Sequence, residues 1–504
     1  MTNKILKFEN LAKIRKKYKD KKIILSHGVF DVIHRGHVEY FKEAKSLGHI
    51  LVVSVTIDKF VGKGFNRPYF TASDRINLLS ELEIIDFVVI SEEKSSIKII
   101  NALKPDFYVK GPDYKNIKND KAGNFLDEKK AVENNKGKIY VTSGKQYSST
   151  KIINSIFEEY NYFEKFLNLN RISSIDKKNV INELEKNIKK IKKQKILVIG
   201  EIILDNYFYC TPLGTPSKEN ILSVNYVNRK NFIGGIIPVV KNLMELSNNI
   251  SFISLYKNQT IKKKMNSIFR KKAKSHLIYE KQYKEIKKNR FIDLKTSRKF
   301  FEYYEFNNSK FDNKNLLNFL KLNLKNYDKV VVCDFGHGMI NNEIISTLEK
   351  KSKYLCLNVQ TNSGNRGYNL FTKFKSADLL VLDEPEVRLG LSMRYANFEK
   401  IIQSKKLKKF KNIMITRGIN GLAVKLHKKK DYYLYPAMIT HAIDTLGAGD
   451  AAYSYACALA GNTNNNFLIG FMSSISGGIK TKILGHSESI RFLEAKRTLE
   501  SILK

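Results

Sequence analysis

Tryptophan, proline and cysteine are scarce in this chain of 504 residues. It has no Trp and only 8 Pro. Its four cysteines, Cys210, Cys333, Cys356 and Cys457, form no CxxC pair and have no neighbouring His at metal-ligand spacing. This pattern excludes a disulfide-rich secreted framework and a cysteine-based zinc site, and it favours a reducing cytoplasm. No apolar run reaches the ~18 residues of a membrane-spanning helix, and the N-terminus lacks the apolar region of a signal peptide. We therefore expect a cytoplasmic protein without membrane insertion.

The composition is that of a folded protein with more than one domain. Hydrophobic residues make up 42% of the chain and charged residues 27%, which excludes wholesale disorder. The 89 Lys and Arg against 49 Asp and Glu give a formal charge of +40. Lys, Asn and Ile are abundant everywhere, so an AT-rich coding bias explains much of this charge. Because no nucleic-acid reader motif accompanies it, we predict no specific nucleic-acid partner.

The first 160 residues alternate between apolar runs of strand length and amphipathic helical patterns. Strands at 21–30 and 50–58 flank a helix at 37–48, which is a parallel βαβ unit. The alternation continues over helix 73–82, strand 87–90, helix 96–103, strand 106–111, strand 138–144 and helix 149–160. We predict a Rossmann-like α/β domain over 1–160.

A second alternation follows a charged stretch. Residues 161–193 are lysine-rich with a single apolar stripe, which predicts a charged helical linker. Over 194–504 the sequence predicts a larger α/β domain. Its predicted buried strands are 195–205, 329–336, 354–359, 378–383 and 412–418, and polar patterns at 212–231 and 288–306 predict a small β lid.

A phosphate-binding pattern joins the first strand to the first helix of the first domain. In SHGVFDVIHRGHVEY, Gly28 lets a phosphate approach the backbone at a helix N-terminus. His34 and His37 are three residues apart, so both imidazoles can face one anion. A lone HxxH would be weak evidence, but here the whole string follows a strand and opens a helix.

These residues resemble the HxGH nucleotidyltransferases of the cytidylyltransferase-like superfamily, especially the sugar-phosphate adenylyltransferases of heptose biosynthesis. The likeness covers most of 24–155, including VVSVTIDKFVGKGFNRPYFTASDR, KPDFYVKGPDY and the closing YSSTKIIN. It implies attack by a sugar-phosphate oxygen on the α-phosphate of a nucleoside triphosphate, with loss of pyrophosphate. The heptose-type segments favour ATP, although CTP stays open.

The resemblance also implies which residues bind the nucleotide. His34 and His37 would donate hydrogen bonds to the developing phosphate charge. The other nucleotide- and phosphate-binding residues it implies are Gly28, Phe30, Lys63, Arg67, Arg75, Lys110, Ser149 and Thr150. For each single basic residue a solvated surface role is the alternative, and Asp31 is as well explained by a structural role in the turn. Mg²⁺ is expected to accompany the triphosphate, bound mainly through phosphate and water.

A second anion site is predicted in HAIDTLGAGDAAYSYACALAG at 441–461. Gly447, Ala448 and Gly449 directly precede an apolar helix, so their N–H groups can form an anion hole. Asp450 lies in the first turn, where a carboxylate can accept a proton from an attacking alcohol. The alternative is an ordinary helix cap, but DTxGAGD after an extended segment is more specific than a bare GAGD.

This string resembles the signature of ribokinase-type (PfkB) carbohydrate kinases, over about 195–490. The resemblance implies ATP-dependent phosphorylation of a sugar hydroxyl, with Asp450 as base. It places sugar-binding residues at Asp205, Gly234, Gly235, Arg290 and Asp334, nucleotide-side residues at Thr416 and Gly418, and metal-orienting residues at Asp383 and Glu386. Departures are Pro238, where Asn is usual, and NVQTNSGNRGYN at 358–369, which lacks a usual lysine.

Both resemblances occur together in bifunctional heptose phosphate kinase/adenylyltransferases, where the kinase half comes first and not second. We predict a bifunctional enzyme that acts on nucleoside triphosphates and sugar phosphates for a surface polysaccharide or lipopolysaccharide. The alternative is an active nucleotidyltransferase joined to a sugar-sensing or scaffolding kinase-like domain. A homo-oligomer stays open.

Overall fold

The chain folds into two compact units, Met1–Asn161 and Tyr162–Lys504. The computed structural model describes residues 4–61, 68–93, 95–112, 124–143, 162–172, 175–216, 218–270, 272–306, 312–427, 431–439 and 442–503. Over these ranges, none of the helices combines the length and the apolar content needed to cross a bilayer.

The first unit is a parallel sheet with helices on both faces. Its strands are β1 (Ile5–Leu6), β2 (Ile23–Gly28), β3 (Ile50–Thr56), β4 (Phe87–Ser91), β5 (Phe107–Lys110) and β6 (Lys138–Val141). Its helices are α1 (Leu11–Lys17), α2 (Arg35–Lys45), α3 (Ala72–Ser80), α4 (Ile97–Leu103) and α5 (Phe125–Asn134). The strand order is β1-β4-β3-β2-β5-β6, and each neighbouring pair is parallel. The predicted Rossmann-like class is confirmed.

Burial on both faces explains why these strands are nearly continuous apolar runs. Every residue of β3, ILVVSVT, is buried. Successive residues of β2 face opposite sides of the sheet, since Ile24 packs in the cluster with Phe41 and Leu25 packs in the cluster with Tyr108. The sheet is therefore the middle layer of a three-layer unit.

Two local expectations differ from the structure, and a third is not tested by it. The N-terminal stretch before residue 21, where the sequence predicted no strand or helix, contributes an edge strand and α1, whose Leu11 is fully buried. Helix α2 begins at Arg35 and not at His37, so His34 is its N-cap. The helix predicted over 149–160 lies outside the described residues.

The order of the strands places the predicted phosphate site. The chain leaves β2 toward β3 and later returns to β5 on the other side of β2. Ligands of such sheets bind in the crevice at the carboxyl ends of the strands where the order reverses. The loop that carries His34 begins at this end of β2.

The second unit contains a nine-stranded sheet and a separate four-stranded lid. The nine strands are β7 (Lys195–Gly200), β10 (Asn249–Tyr256), β11 (Lys274–Tyr279), β14 (Lys329–Asp334), β15 (Leu355–Val359), β16 (Ala377–Asp383), β17 (Phe410–Thr416), β18 (Leu422–Lys425) and β19 (Tyr433–Tyr435). The order is β11-β10-β7-β14-β15-β16-β17-β18-β19, parallel except at the β17–β18 and β18–β19 pairs. The sequence had not predicted β10, β11, β18 or β19.

Eleven helices cover the described part of this unit. They are α6 (Tyr162–Asn170), α7 (Lys177–Ile191), α8 (Ile236–Met244), α9 (Gln259–Phe269), α10 (Lys314–Asn323), α11 (Asn342–Lys351), α12 (Glu384–Leu391), α13 (Phe398–Ile402), α14 (Ala448–Leu459), α15 (Asn466–Lys480) and α16 (Phe492–Ile502). The unit is therefore the α/β body that the sequence predicted.

The predicted β lid is present but begins earlier than expected. Its strands are β8 (Ile202–Gly214), β9 (Ser223–Gly235), β12 (Ile286–Asp293) and β13 (Lys299–Glu305), in the order β13-β12-β8-β9. The single strand predicted over 195–205 is two strands, because the chain leaves the main sheet at Gly200 and enters the lid at Ile202. A Cβ on Gly200 would lie 2.1 Å from the carbonyl oxygen of Cys333, so only glycine fits this junction.

The stretch predicted as a charged linker, 161–193, is instead part of the second unit. Helix α6 buries Phe166, whose ring stacks on Tyr435 at 4.9 Å and meets Phe467 and Phe471 edge-on at 5.1 Å each. Helix α7 buries one side, including Leu184. The lysines of this stretch are only the solvated face of two packed helices.

We predict that Phe166→Ala lowers the free energy of unfolding of a fragment spanning 162–504 by about 3–5 kcal/mol, because a fully buried ring is lost. Urea denaturation measures this change. The control is Leu169→Ala on the same helix, where the side chain is 51% exposed and the loss should stay within about 0.5 kcal/mol. Equal losses would restore the linker interpretation.

Candidate active sites

The two histidines of the first unit lie together at the N-terminus of α2. The rings of His34 and His37 are stacked, with centroids 4.0 Å apart and 24° between their planes. Phe30 packs edge-on against His37 at 5.6 Å. The predicted pair of imidazoles therefore shares one place at a helix end that attracts anions.

Gly28 and Phe30 have a different relation from the one expected. Phe30 has a φ of +48° and is buried. A Cβ on Gly28 would lie 2.9 Å from the tip of the Phe30 ring. The glycine thus makes room for this ring, which in turn packs against His37.

Arg75, predicted as a phosphate ligand, is instead a buried structural residue. It is 1% exposed. Its guanidinium donates to the carbonyl oxygens of Phe70, Val29 and Thr56 at 3.0, 2.6 and 2.9 Å, and it also contacts Asp58. These bonds join the loop after β2 to the end of β3. In this structure Arg75 shapes the site and does not reach into it.

Asp31 has the structural role that the sequence allowed. Its carboxylate accepts hydrogen bonds from the backbone N–H groups of Tyr69 and Phe70, at 2.7 to 2.9 Å. The turn after β2 is thereby tied to the chain just before α3.

Lys110 ends β5 beside β2 and belongs to a buried polar network. Its Nζ lies 2.9 Å from Oε2 of Glu128, and both side chains are almost fully buried. Burial, together with the charge of Lys110, lowers the pKa of His27 to about 4. Because Glu128 neutralises Lys110, the lysine predicted to bind nucleotide is already paired. Sequence analysis missed Glu128 and His27, which carry no motif of their own.

The remaining residues predicted for the first site are Lys63, Arg67, Ser149 and Thr150. All four lie outside the described residues.

The second unit contains a cleft of about 240 Å³ between the lid and the body. The predicted residues that line it are Asp205, Gly235, Arg290, Asp383, Glu386, Thr416, Gly447, Gly449 and Asp450. Predicted residues absent from the lining are Gly234, Asp334, Gly418 and Ala448. Residues predicted for the sugar side and residues predicted for the nucleotide side thus line the same cavity.

The lid supplies a charged group at one end of the cleft. Asp205 on β8 pairs with Arg290 on the parallel neighbour β12, and Nε2 of His486 lies 3.6 Å from its Oδ2. Burial raises the pKa of Asp205, but the contact with His486 and the charge of Arg290 outweigh it and hold the pKa below its ordinary value. These contacts therefore favour the ionised form of Asp205 at this end of the cleft.

Gly234 and Gly235 end β9, where the chain passes from the lid back into the body. A Cβ on Gly235 would lie 2.1 Å from the carbonyl oxygen of Glu201, and one on Gly234 would lie 2.9 Å from Oδ2 of Asp205. A larger residue at position 234 would displace the Asp205 carboxylate, and one at position 235 would clash with the backbone.

The other end of the cleft is the N-terminus of α14. Gly447 is its N-cap with a φ of +79°, and the space beside Gly449 is open. The N–H groups of the first turn have no partner within the helix, so an anion can bind there. Nε2 of Gln360 donates to Oδ1 of Asp450 at 3.0 Å. Burial raises the pKa of Asp450 above its ordinary value, against the charge of His486 and the bond from Gln360.

Asp383 and Glu386 cap α12 and also border the cleft. Each carboxylate accepts the backbone N–H of the other residue, at 2.7 and 2.9 Å. Burial and the charge of Asp383 raise the pKa of Glu386 to about 8. In the described part of the chain, no group of three or more His, Cys, Asp or Glu side chains is arranged to hold a metal ion. This donor set fits a hydrated cation carried by a nucleotide better than a resident metal.

Asp334 supports the floor of the cleft from beneath. It is 1% exposed, pairs with Lys373, and accepts a hydrogen bond from Nδ2 of Asn369 at 3.4 Å. Burial and the charge of Asp334 raise the pKa of the neighbouring Glu201 to about 7. Asp334 does not itself line the cleft, and its contact with sugar stays a prediction.

Among the cleft residues that sequence analysis missed are Lys288, Gln360 and His486. Lys288 lies two residues before Arg290 on the same strand, so strand alternation could have suggested it. Gln360 lies in the 358–369 stretch that departs from the family. His486 had no signal in the sequence.

Known proteins resemble the two parts of the chain differently. Residues 25–155 match the Cytidylyltransferase-like family. Bifunctional protein HldE of Helicobacter pylori (strain Shi470) is 39% identical over 155 residues, and that of Campylobacter fetus subsp. fetus is 37% identical over 155 residues. Each match covers 30% of this chain and 31% of the relative. The chain thus spans about a third of the length of the curated relatives it matches.

Solved structures resemble a larger share of the chain at low identity. Ribokinase from Thermotoga maritima is 17% identical with a TM-score of 0.48, covering 61% of this chain and 99% of its own. Phosphofructokinase-2 from Escherichia coli is 12% identical with a TM-score of 0.49, covering 62% of this chain and 100% of its own.

The family match spans the strands β2 to β6 and the stacked histidines, so motif, fold and relatives agree over the same residues. Residues 25–155 are therefore similar to the Cytidylyltransferase-like family.

Proposed function

We propose that the chain is a bifunctional enzyme of nucleotide-activated sugar synthesis. The first unit transfers a nucleotidyl group, AMP in preference to CMP, from a triphosphate to a sugar phosphate. The second unit phosphorylates a heptose-like sugar or sugar phosphate with ATP. The products serve a surface polysaccharide or lipopolysaccharide. The similarity to Bifunctional protein HldE over the first unit supports this assignment.

The first reaction depends on the stacked side chains of His34 and His37. A sugar-phosphate oxygen attacks the α-phosphorus and pyrophosphate leaves. Such a transfer needs positioning and charge neutralisation more than covalent chemistry. The two imidazoles at the positive end of α2 donate hydrogen bonds to the oxygens on which charge develops.

The second reaction depends on Asp205 and Asp450, which line the same cleft. The ionised Asp205 binds the hydroxyl groups of the sugar. Asp450 accepts the proton of the attacking hydroxyl, and its raised pKa makes it a stronger base than an exposed aspartate. The N–H groups behind Gly447 bind the transferred phosphoryl group.

Mg²⁺ fits the second site as an ion held by the triphosphate. Asp383 and Glu386 are too engaged in capping α12 to form a full ligand set, but their carboxylates face the cleft. When bound, Mg²⁺ supplies neutralisation of phosphate charge.

The family departures do not remove this machinery. Pro238 lies in the first turn of α8, where a missing N–H breaks no helical bond. The 358–369 stretch lacks the lysine but supplies Gln360 to Asp450. A panel of sugars and sugar phosphates with ATP or CTP, following ADP and pyrophosphate separately, tests both activities. Pyrophosphate release without sugar-dependent ADP release would favour the scaffolding alternative.

We predict that His37→Ala lowers the rate of pyrophosphate release by about 10²- to 10³-fold, as loss of a transition-state donor does. Sugar-dependent ADP release should be unchanged, because the second site lies in another unit. His49→Ala is the control, since this exposed histidine lies outside the site. Normal pyrophosphate release by His37→Ala would refute the first site.

We predict that Asp450→Asn lowers sugar-dependent ADP release by about 10²- to 10⁴-fold while ATP binding persists, because the general base is lost. An ordinary helix cap would tolerate Asn. Asp176→Asn is the control, since Asp176 caps α7 through the N–H of Asn179 away from the cleft. Equal rates in wild type and Asp450→Asn would reject the catalytic role.

A further inference from the structure

Gln360 links the end of one strand to the carboxylate proposed as the general base. It directly follows β15, while Asp450 lies 90 residues later in the first turn of α14. Among the described residues, Gln360 is the side chain that donates a hydrogen bond to this carboxylate. A contact between such distant elements requires that both are held in place.

The backbone of Gln360 is fixed from two sides. Its N–H donates to the carbonyl oxygen of Asp334 at 2.8 Å. Its own carbonyl oxygen accepts from Nδ2 of Asn369 at 3.1 Å and of Asn365 at 3.4 Å. The asparagines of the 358–369 stretch thus hold the glutamine in position under the cleft.

Other groups around Asp450 act on it by charge alone. His486, Lys288 and Lys480 favour its ionised form. The negative charge of Asp450 opposes the ionisation of two acidic neighbours, the Glu386 carboxylate and the Cys333 thiol. Because burial disfavours the charged carboxylate, a single hydrogen bond to it contributes substantially to the stability of the ionised form.

We propose that Gln360 is a positioning residue for phosphoryl transfer in the second unit, holding Oδ1 of Asp450 so that Oδ2 receives the proton of the acceptor hydroxyl. This role rests on the proposed kinase function. In the step, the hydroxyl O–H bond breaks and its proton goes to Oδ2. The oxygen bonds to the γ-phosphorus, the bond from that phosphorus to the bridging oxygen breaks, and ADP leaves.

Gln360→Leu removes the donor and keeps nearly the same size. Loss of a hydrogen bond to a charged group should move the acidic limb of the kcat/KM profile up by about one to two pH units. The rate should then fall ~10- to 100-fold at pH values below the limb and recover toward the wild-type rate at pH values well above it. Gln360→Lys, which supplies a donor and adds a positive charge, should instead move the acidic limb to lower pH.

Gln403→Leu is the matched control, because its amide also donates to a carboxylate, that of Glu399 at 3.3 Å, and both residues are exposed. It should leave the profile unchanged. An unshifted profile in Gln360→Leu would overturn the proposal.

A double-mutant cycle separates positioning from a general structural role. If Gln360 acts through Asp450, then Gln360→Leu should change the remaining rate less than about twofold when Asp450 is already Asn. A structural role predicts the same proportional loss in both backgrounds. That additive result would overturn the proposal even if the wild-type rate had fallen.

A readout that needs no sugar distinguishes failure of the function from failure of the contact. Carbon NMR of the full chain follows the Asp450 carboxyl through a pH titration, with its signal assigned by comparison with Asp450→Asn. Gln360→Leu should raise this pKa. Absence of sugar-dependent ADP release in the wild type would overturn the proposed kinase and with it the positioning role. Release with an unchanged titration would overturn the role of Gln360 alone.

Discussion

Parallel strands impose a constraint on which both sites depend. A parallel neighbour can be added only after the chain has crossed back, and in this protein the crossing segments are mostly helices. The helix after such a strand begins at the carboxyl edge of the sheet, where its N–H groups are unpaired. Helix α2 follows β2 in this way. Helix α14 follows β19, which runs in the same direction as β17 because two antiparallel pairings separate them.

Sequence analysis identified the groups that are local along the chain and missed those that converge from a distance. Gly447 to Asp450 are consecutive, and their positions relative to α14 follow from the motif. Gln360 and His486 reach the same carboxylate region from other elements, and only the packed fold brings them there. The α/β class could be predicted because buried parallel strands are continuous apolar runs.

The errors concern basic residues, which look alike in sequence whether they face solvent, ligand or backbone. Arg75 binds carbonyl oxygens in a position where a phosphate ligand was expected. Lys329 is similar, since its buried Nζ donates to the carbonyl oxygens of Cys457, Ala458 and Ala460 at the C-terminal end of α14. A cation there complements the negative end of the helix whose opposite end is the proposed anion site. Part of the lysine excess is therefore structural.

The junction between body and lid has a mechanical consequence. One residue, the fully buried Glu201, separates β7 from β8, and β9 passes into α8 without a break. Glu201 also accepts the N–H groups of Phe335 and His337, both at 3.3 Å. The lid is thus held firmly to the body at its base. Because Asp205 lies only four residues from this junction, a bend of the lid would displace its carboxylate less than the residues at the far tip.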